Sequence, residues 1–261
     1  MRIRTYLIPL AAGSLLAAGC AGQGGEERRA AAVRQQVALK KKAAPKPPPP
    51  RRIDCVRVKC LALTFDDGPG EYTGQVLDDL RGHGVRATFY MLGQNVGAHR
   101  GLVRRMALEG HEVANHSWSH ADMTGLSSGA VRSEVKRTQD AIKQASGVAP
   151  TSFRPPYGST DARVGKAVGM PQILWSVDSL DWLHRNVRKN VRAGVSEPEK
   201  GGVVLFHDIH KPTVTAVPEI LAGLKKRGFT LVTVTELFQG QRLKPGGKYT
   251  ELGATGPTLA Q

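Results

Sequence analysis

Short apolar runs alternate with amphipathic stretches along most of this chain, from about residue 60 to residue 235. Short apolar runs are typical of buried strands, and apolar residues recurring every three or four positions are typical of helices. The predicted strands are 60–65, 87–92, 112–115, 152–154, 173–177, 203–206 and 230–234. The predicted helices lie near 73–81, 101–109, 128–145, 161–168, 187–195 and 217–227.

This alternation of strands and helices predicts an α/β fold with a parallel sheet. Roughly 180 residues in one such series fit a single domain with a sizeable core. About seven strand-helix units favour a parallel barrel that falls short of eight units, and the alternative is an open doubly wound sheet. No glycine-rich phosphate-binding motif follows the first predicted strand, and this argues against a nucleotide-binding protein with an open doubly wound sheet.

The amino-terminal region has the pattern of an export signal. Arg2 and Arg4 precede an apolar stretch, 6–18, that is too short for a comfortable membrane span. The stretch ends in Gly19-Cys20 and resembles a bacterial lipobox, which implies cleavage after residues 1–19 and a lipid on the Cys20 thiol. An ordinary secretory signal is the alternative, and either reading predicts an exported protein.

Residues 20–52 are rich in glycine, alanine and basic residues and end in a proline run. Such a composition offers few large apolar side chains to offset the entropy of ordering, so we predict a disordered tether.

The formal charge of +15 is concentrated at this end of the chain. Eleven Lys and Arg residues stand against two Glu residues before position 53. A basic tether is expected to be attracted to anionic lipid or wall polymers. Export, and the lack of a basic stripe interleaved with aromatic residues, argue against a nucleic-acid partner.

The three cysteines fit an oxidising compartment. If Cys20 is lipidated, Cys55 and Cys60 remain as a pair that can close a small disulfide loop. A cysteine zinc site would need more soft ligands nearby. We therefore predict a disulfide immediately before the first strand.

Two adjacent carboxylates, Asp66 and Asp67, follow the first predicted strand and precede Gly68-Pro69. A strand end that runs into a turn lets both side chains face one cavity. Crowded carboxylates are costly unless a cation or a proton separates their roles. An ordinary surface turn is the alternative interpretation.

His116 and His120 lie four residues apart, so their rings can fall on one side of a turn and share a metal ion. Solvated or capping histidines have the same spacing. A carboxylate from Asp67 would complete a site with two nitrogens, one oxygen and vacant positions for water and substrate.

Five short motifs occur in order along the chain, and together they resemble one known family. They are TFDDGP at 64–69, HSWSH at 116–120, RPPY at 154–157, DSLDW at 178–182 and LFH at 205–207. The set resembles the polysaccharide deacetylases with a NodB homology domain, carbohydrate esterase family 4, over residues 55–238. The resemblance implies a distorted (β/α) barrel over 53–240, and we expect a flexible tail over 241–261.

The resemblance also assigns roles to the motif residues. It implies a divalent metal ion, usually zinc, on Asp67, His116 and His120, and cobalt or nickel could occupy the same ligands. It marks Asp66 as the general base, paired with Arg154. His207 titrates in the range suited to a general acid, and Asp181 matches the family carboxylate that keeps it protonated.

The remaining site predictions concern the substrate. The backbone N–H of Tyr157 matches the family position that stabilises the oxyanion, and Trp182 and Leu205 match the walls around the acetyl methyl, although both could be plain core residues. Trp118 is our candidate for stacking on a sugar ring. Asp178 is interpreted as structural. No site role is assigned to His83, His99, His111, His184 or His210.

These features predict a monomeric, metal-dependent enzyme that hydrolyses N-acetyl groups from an extracellular glycan, with peptidoglycan N-acetylglucosamine favoured because a lipid-anchored, tethered enzyme lies beside the cell wall. The alternatives are a chitooligosaccharide deacetylase, an acetylxylan esterase, or a wall-binding lipoprotein without turnover. A binding module needs neither a base nor an acid, which argues against the last. A secreted form is the alternative to the membrane-anchored location.

Overall fold

The computed structural model describes residues 27–31 and 45–253. The predicted signal segment, Cys20 and most of the predicted tether lie outside the described residues. Residues 27–31 form a short helical turn, and a separate compact unit begins at Lys46. Within the described part of the chain, no helix combines the length and apolar character that a membrane crossing requires.

Eight strands, nine α-helices and two 3₁₀ helices (Met123–Gly125 and Pro156–Gly158) make up the compact unit as far as the structure describes it. The strands are β1 (Cys60–Asp66), β2 (Thr88–Met91), β3 (Glu112–Asn115), β4 (Gln172–Ile173), β5 (Val177–Asp178), β6 (Val203–His207), β7 (Thr230–Val232) and β8 (Lys248–Tyr249). The helices are α1 (Thr73–Gly82), α2 (Gly93–Val96), α3 (Arg100–Leu108), α4 (Ser128–Ser146), α5 (Ala162–Val168), α6 (Asp181–His184), α7 (Val187–Ser196), α8 (Lys211–Lys226) and α9 (Val234–Leu237).

The ladders between these strands are parallel. The order is β3-β2-β1-β6-β5, with β7 also on β1, and β4 pairs separately with β8. Single bridges from Asn115 to Phe153 and from Phe153 to Gln172 link β3 to β4 and bend the path into a distorted, incomplete barrel. The predicted α/β barrel is confirmed, and its parallel strands bring their carboxyl ends to one end of the barrel.

The first strand is buried on both faces, as expected for a central parallel strand. Leu61, Leu63 and Phe65 pack in the larger core cluster, which the helices cover. Cys60 and Ala62 belong to a second cluster on the other face. This burial fixes the strand rigidly, and therefore fixes the side chains at its carboxyl end.

Three predicted strands differ from the observed ones. The predicted 230–234 strand ends at Val232, and Val234 begins α9. Only Phe153 of the predicted 152–154 strand forms bridges. The predicted 173–177 strand divides into β4 and β5 because its residues bond different neighbours: the Leu174 N–H donates to the Tyr249 carbonyl, and the Ser176 N–H donates to the Val203 carbonyl.

Both predicted ends of the catalytic domain need correction. Lys248 and Tyr249, which we placed in a flexible tail over 241–261, form β8 beside β4. Arg51, which we placed in the disordered segment 20–52, donates from its backbone N–H and its guanidinium to the buried Glu236 carboxylate. A buried carboxylate needs such a partner, so this contact extends the folded unit to residues before 53.

The predicted disulfide between Cys55 and Cys60 is present. It closes a small loop at the amino end of β1, at the opposite end of the strand from Asp66. The loop therefore constrains the chain before the sheet without contacting the carboxyl end of the barrel.

Replacing both Cys55 and Cys60 by alanine is expected to lower the free energy of unfolding by about 2 kcal/mol, the loop-closure entropy of so short a loop. Urea unfolding followed by circular dichroism measures the change. Activity in the absence of denaturant should stay unchanged, because the loop is remote from the strand ends that carry Asp66 and His207. A midpoint identical to that of the parent protein would contradict the stabilising role.

Candidate active site

The predicted base and acid stand side by side at the ends of two neighbouring strands. Asp66 is the last residue of β1, His207 is the last residue of β6, and the two are register partners in the parallel ladder. His116 directly follows β3, and Arg154 directly follows the Phe153 bridge. The parallel sheet thus brings residues distant in sequence to one rim.

The predicted metal ligands form a tight group. Donor atoms of Asp67, His116 and His120 all lie within 4.8 Å of one another. The Asp67 Oδ1 atom lies 3.4 Å from His116 Nε2 and 3.3 Å from His120 Nε2. Ligands at about 2.1 Å from one tetrahedral ion are separated by roughly 3.4 Å, so the spacing fits a common ion.

Two further observations support a metal at this position. The Asp67 Oδ1 atom is buried and makes no hydrogen bond within the described residues, which is costly unless a cation satisfies it. The His116 Nδ1 atom donates to the Arg154 carbonyl at 2.7 Å, which leaves the Nε2 lone pair free for coordination. The donor set therefore fits a divalent ion.

The charges around Asp67 keep it ionised. Burial alone would raise the pKa of Asp67, but the neighbouring imidazoles of His116, His207 and His120 lower it to about 2. Burial, followed by the neighbouring His116, lowers the pKa of His120. An ionised carboxylate and a neutral imidazole are the forms that bind metals.

Arg154 holds the Asp66 carboxylate in place. Its Nη1 donates to Asp66 Oδ1 at 2.8 Å and to Thr64 Oγ1 at 2.7 Å. Its Nε and Nη2 donate to the carbonyls of Ile173 and Leu174, and the side chain is completely buried. The guanidinium is therefore fixed in position, and it leaves the second Asp66 oxygen available to the cavity.

Asp181 holds His207 in a similar way. The Asp181 Oδ1 atom lies 2.7 Å from His207 Nδ1, and Oδ2 accepts from the His207 backbone N–H and from the Thr213 hydroxyl. Burial alone would lower the pKa of His207, but the hydrogen bond and charge of Asp181, with Asp66 and Asp67, raise it to about 9. The imidazole is thus protonated near neutral pH and can donate from Nε2.

Tyr157 lies with its side chain beside His120, one of the predicted metal ligands. Its φ of 60° is in the left-handed region, and its ring lies edge-on to His120 with centroids 4.5 Å apart. The N–H groups of Gly158 and Ser159 donate to proline carbonyls, whereas the Tyr157 N–H has no acceptor within residues 45–253. This N–H is therefore free to donate to a bound group.

These groups open into one cavity of about 600 Å³. Asp66, Asp67, both predicted histidine ligands and His207 line it, together with Tyr157. Trp182 and Leu205, the predicted walls around the acetyl methyl, also line it. Arg154 and Asp181 do not line the cavity. Arg154 hydrogen-bonds to Asp66, and Asp181 hydrogen-bonds to His207, and both of these partners line it.

Comparison with known proteins identifies the family of this chain. The model of the polysaccharide deacetylase family matches residues 54–172. A peptidoglycan-N-acetylglucosamine deacetylase of Listeria monocytogenes is 44% identical over 195 residues, 73% of this chain and 41% of the relative. The chain thus spans less than half of that relative's length.

Two solved structures match almost all of their own length. A T48 deacetylase with substrate superposes with a TM-score of 0.74 at 45% identity, covering 76% of this chain and 99% of the other. This chain belongs to the polysaccharide deacetylase family. A family 4 acetyl xylan esterase from Clostridium thermocellum, in complex with a cobalt ion, gives a TM-score of 0.72 at 33% identity and covers 75% and 100%.

Trp118, the predicted sugar-stacking residue, does not line the catalytic cavity. The Trp118 and Ser119 N–H groups donate to Glu134 of α4, which turns the loop toward that helix. The Trp118 ring lies 4.0 Å from Arg137 Cζ and lines a separate surface depression on α4. Stacking of a sugar on Trp118 stays a prediction, and it would take place outside the catalytic cavity.

Sequence reasoning missed several residues of the cavity wall. Asp178 and His210, for which we expected no site role, both line it. Trp175, Arg185 and Ile209 do so as well. Closeness in sequence to the motifs could have indicated some of these residues. Ile209 and His210 lie just after the LFH motif, and Arg185 lies just after the DSLDW motif.

Left-handed backbone conformations cluster around this cavity. The non-glycine residues with positive φ in the described chain are Asp67, Ser117, His120, Tyr157, Leu180 and Arg185. Each lies in a loop or short turn beyond the carboxyl end of a strand. Such conformations are unfavourable for side chains other than glycine and are typical of functional loops that the surrounding structure holds in place.

Proposed function

We propose that this protein is a metal-dependent deacetylase that hydrolyses N-acetyl groups from an extracellular glycan, with the N-acetylglucosamine of peptidoglycan as its substrate. The observation that carries the proposal is the single cavity in which the Asp67, His116 and His120 group lies beside Asp66 and His207. The Listeria relative, whose name states this activity, supports the choice of polymer.

Zinc is the proposed metal, because two imidazole nitrogens and one carboxylate with open positions are a common catalytic zinc set. Cobalt or nickel would suit the same ligands, and the solved acetyl xylan esterase contains cobalt. A divalent ion held there would supply Lewis acidity toward water and the acetyl oxygen.

Different residues of the chain carry out the two proton transfers of the reaction. Asp66, held by Arg154, accepts a proton from the attacking water while the oxygen–carbon bond forms. The Tyr157 N–H donates to the oxyanion of the tetrahedral intermediate. His207, held by Asp181, donates a proton to the amine nitrogen as the carbon–nitrogen bond breaks, which releases acetate.

Acetate release by the purified, metal-loaded full chain tests this proposal. The substrates are peptidoglycan, chitin oligomers and acetylated xylan, assayed side by side. We expect release from peptidoglycan at the highest kcat/KM. Release from xylan alone would identify an esterase instead, and binding of peptidoglycan without acetate release would identify a wall-binding lipoprotein.

We also propose that the protein is a lipoprotein on the outer face of the cell membrane, with the basic tether reaching into the wall. Gly19-Cys20 after a short apolar stretch supports this location.

Replacing Cys20 by alanine is expected to leave the precursor without lipid and to move the protein out of the membrane fraction. Metabolic labelling with a fatty acid and cell fractionation measure both effects. The unchanged Cys55–Cys60 disulfide provides an internal check that the exported domain is folded. Parent protein found entirely in the culture fluid would contradict the anchor.

A further inference from the structure

One cation on the cavity wall has no part in the mechanism described above. Arg185 lies directly after α6, with φ 46° and ψ 41°, in the left-handed region. Its Nε donates to the Trp182 carbonyl at 2.7 Å, and its Nη1 lies 2.8 Å from His210 Nδ1. These two contacts hold an exposed side chain in one orientation at the cavity.

The contact with Arg185 defines the state of His210. A guanidinium can only donate, so the His210 Nδ1 atom accepts and its proton resides on Nε2. Burial, followed by the positive charge of Arg185, lowers the pKa of His210 and agrees with a neutral ring. Arg185 and His210 therefore present N–H donors together.

The charge of Arg185 has no counterpart among the residues that the structure describes. Arg154 forms an ion pair with Asp66, but no ion pair within 45–253 includes Arg185. Asp178 lies on the same wall, and its Oδ1 accepts from the Leu180 N–H instead. An ordered, unpaired guanidinium in a substrate cavity is suited to bind an anion.

Arg185 makes no hydrogen bond to Asp66, Asp67 or His207 within the described residues. Its guanidinium contacts His210, whose ring centroid lies 5.6 Å from that of His207. A group bound by Arg185 and His210 therefore belongs to a neighbouring sugar or its substituent.

We propose that Arg185 and His210 form a subsite for a carboxylate on the sugar next to the one that is deacetylated. In peptidoglycan this neighbouring sugar carries a lactyl group, which is either a free carboxylate or continues into a peptide with its own carboxylates. The sugars of chitin bear no such group. The subsite rests on the proposed function and narrows it to carboxylate-bearing glycans.

Substrates that differ only in their carboxylates test the subsite. The metal-loaded full chain is assayed on peptide-bearing peptidoglycan oligomers, on the same oligomers after amidase has removed the peptide, and on each of these after esterification of the carboxylates. We expect kcat/KM to be about tenfold or more higher for carboxylate than for ester, the usual value of a charged hydrogen bond. Preference confined to the peptide-bearing polymer identifies peptide carboxylates, and preference after amidase identifies the lactyl group.

Variants of Arg185 distinguish a loss of carboxylate binding at the subsite from a general loss of folding or activity. Arg185→Ala is expected to abolish the preference for carboxylate over ester, and Arg185→Lys is expected to retain part of it through the charge. The control is Arg188→Ala, an exposed arginine of α7 outside the cavity lining, which should keep the full preference. Because the readout is a ratio between substrates, a partly folded variant does not imitate the effect.

Equal kcat/KM for carboxylate and ester in the parent protein would overturn the subsite, as would full preference in Arg185→Ala. Binding of the same oligomers, measured by titration calorimetry, makes the result independent of turnover. Selective binding that depends on Arg185 but releases no acetate would uphold the subsite and refute the proposed function.

Discussion

Replacing both His116 and His120 by alanine is expected to remove the metal ion and abolish acetate release. The double variant leaves only Asp67 of the three clustered donors, and a single carboxylate cannot fix an ion in a solvent-accessible cavity. The parent protein should contain one divalent ion per chain, measured by atomic emission after desalting. Exhaustive chelation should abolish its activity, and added zinc or cobalt should restore it.

The matched control is His83→Ala, because His83 is exposed at the end of α1 and makes only a local contact with the Asp79 carbonyl. It should keep both metal and turnover. Unchanged metal content in the double variant, or full turnover after exhaustive chelation, would show that the ion is bound elsewhere or is not needed.

The sequence was sufficient for the elements that carry a strong local pattern. β1 and β6 are nearly continuous apolar runs, so their burial and the position of Asp66 and His207 at their ends follow from the pattern and the parallel topology. The predicted disulfide likewise follows from two cysteines five positions apart in an exported chain. In these cases residues close together in the sequence are enough to predict the structure.

The parts that sequence reasoning missed depend on contacts between distant segments. β8 has only two residues, and it is a strand because the Gln172 and Leu174 N–H groups donate to carbonyls at 247 and 249. The direction of Trp118 depends on Glu134, which lies one helix further along the chain. An aromatic residue between two ligands suggests a substrate contact, but its orientation is set by a partner that the motif does not contain.

His210 illustrates the same limit for a site residue. Taken alone it is one of several histidines outside the motifs. It becomes part of the cavity wall because β6 ends at His207 and α8 begins at Lys211, so that His210 lies in the short connection above the strand end.

Asp66→Asn and His207→Ala are each expected to lower turnover by about a hundredfold or more while the metal stays bound, which is the usual contribution of a positioned proton-transfer group. Asparagine keeps the shape of Asp66 but cannot accept the proton of the attacking water. The matched control is Asp140→Asn, an exposed carboxylate of α4 paired only with Lys136, which should leave turnover unchanged. Metal content and thermal unfolding are measured on the same samples, so that loss of the ion or of the fold is distinguished from loss of the base.

The pH dependence of kcat/KM identifies which group is the acid. His207 must be protonated to donate. Burial would lower the pKa of His207, but Asp181 is the main cause that raises it, to about 9, so activity should fall as the pH rises through that region. Asp181→Asn removes the negative charge that favours the imidazolium, and the alkaline limb of the profile should therefore move to lower pH with the same metal bound. The hydrogen bond from the Thr213 hydroxyl to Asp181 can be replaced by one to asparagine, so the variant should fold. An alkaline limb that stays in place in Asp181→Asn, with turnover still measurable, would assign the limb to a different group and remove His207 from the role of general acid.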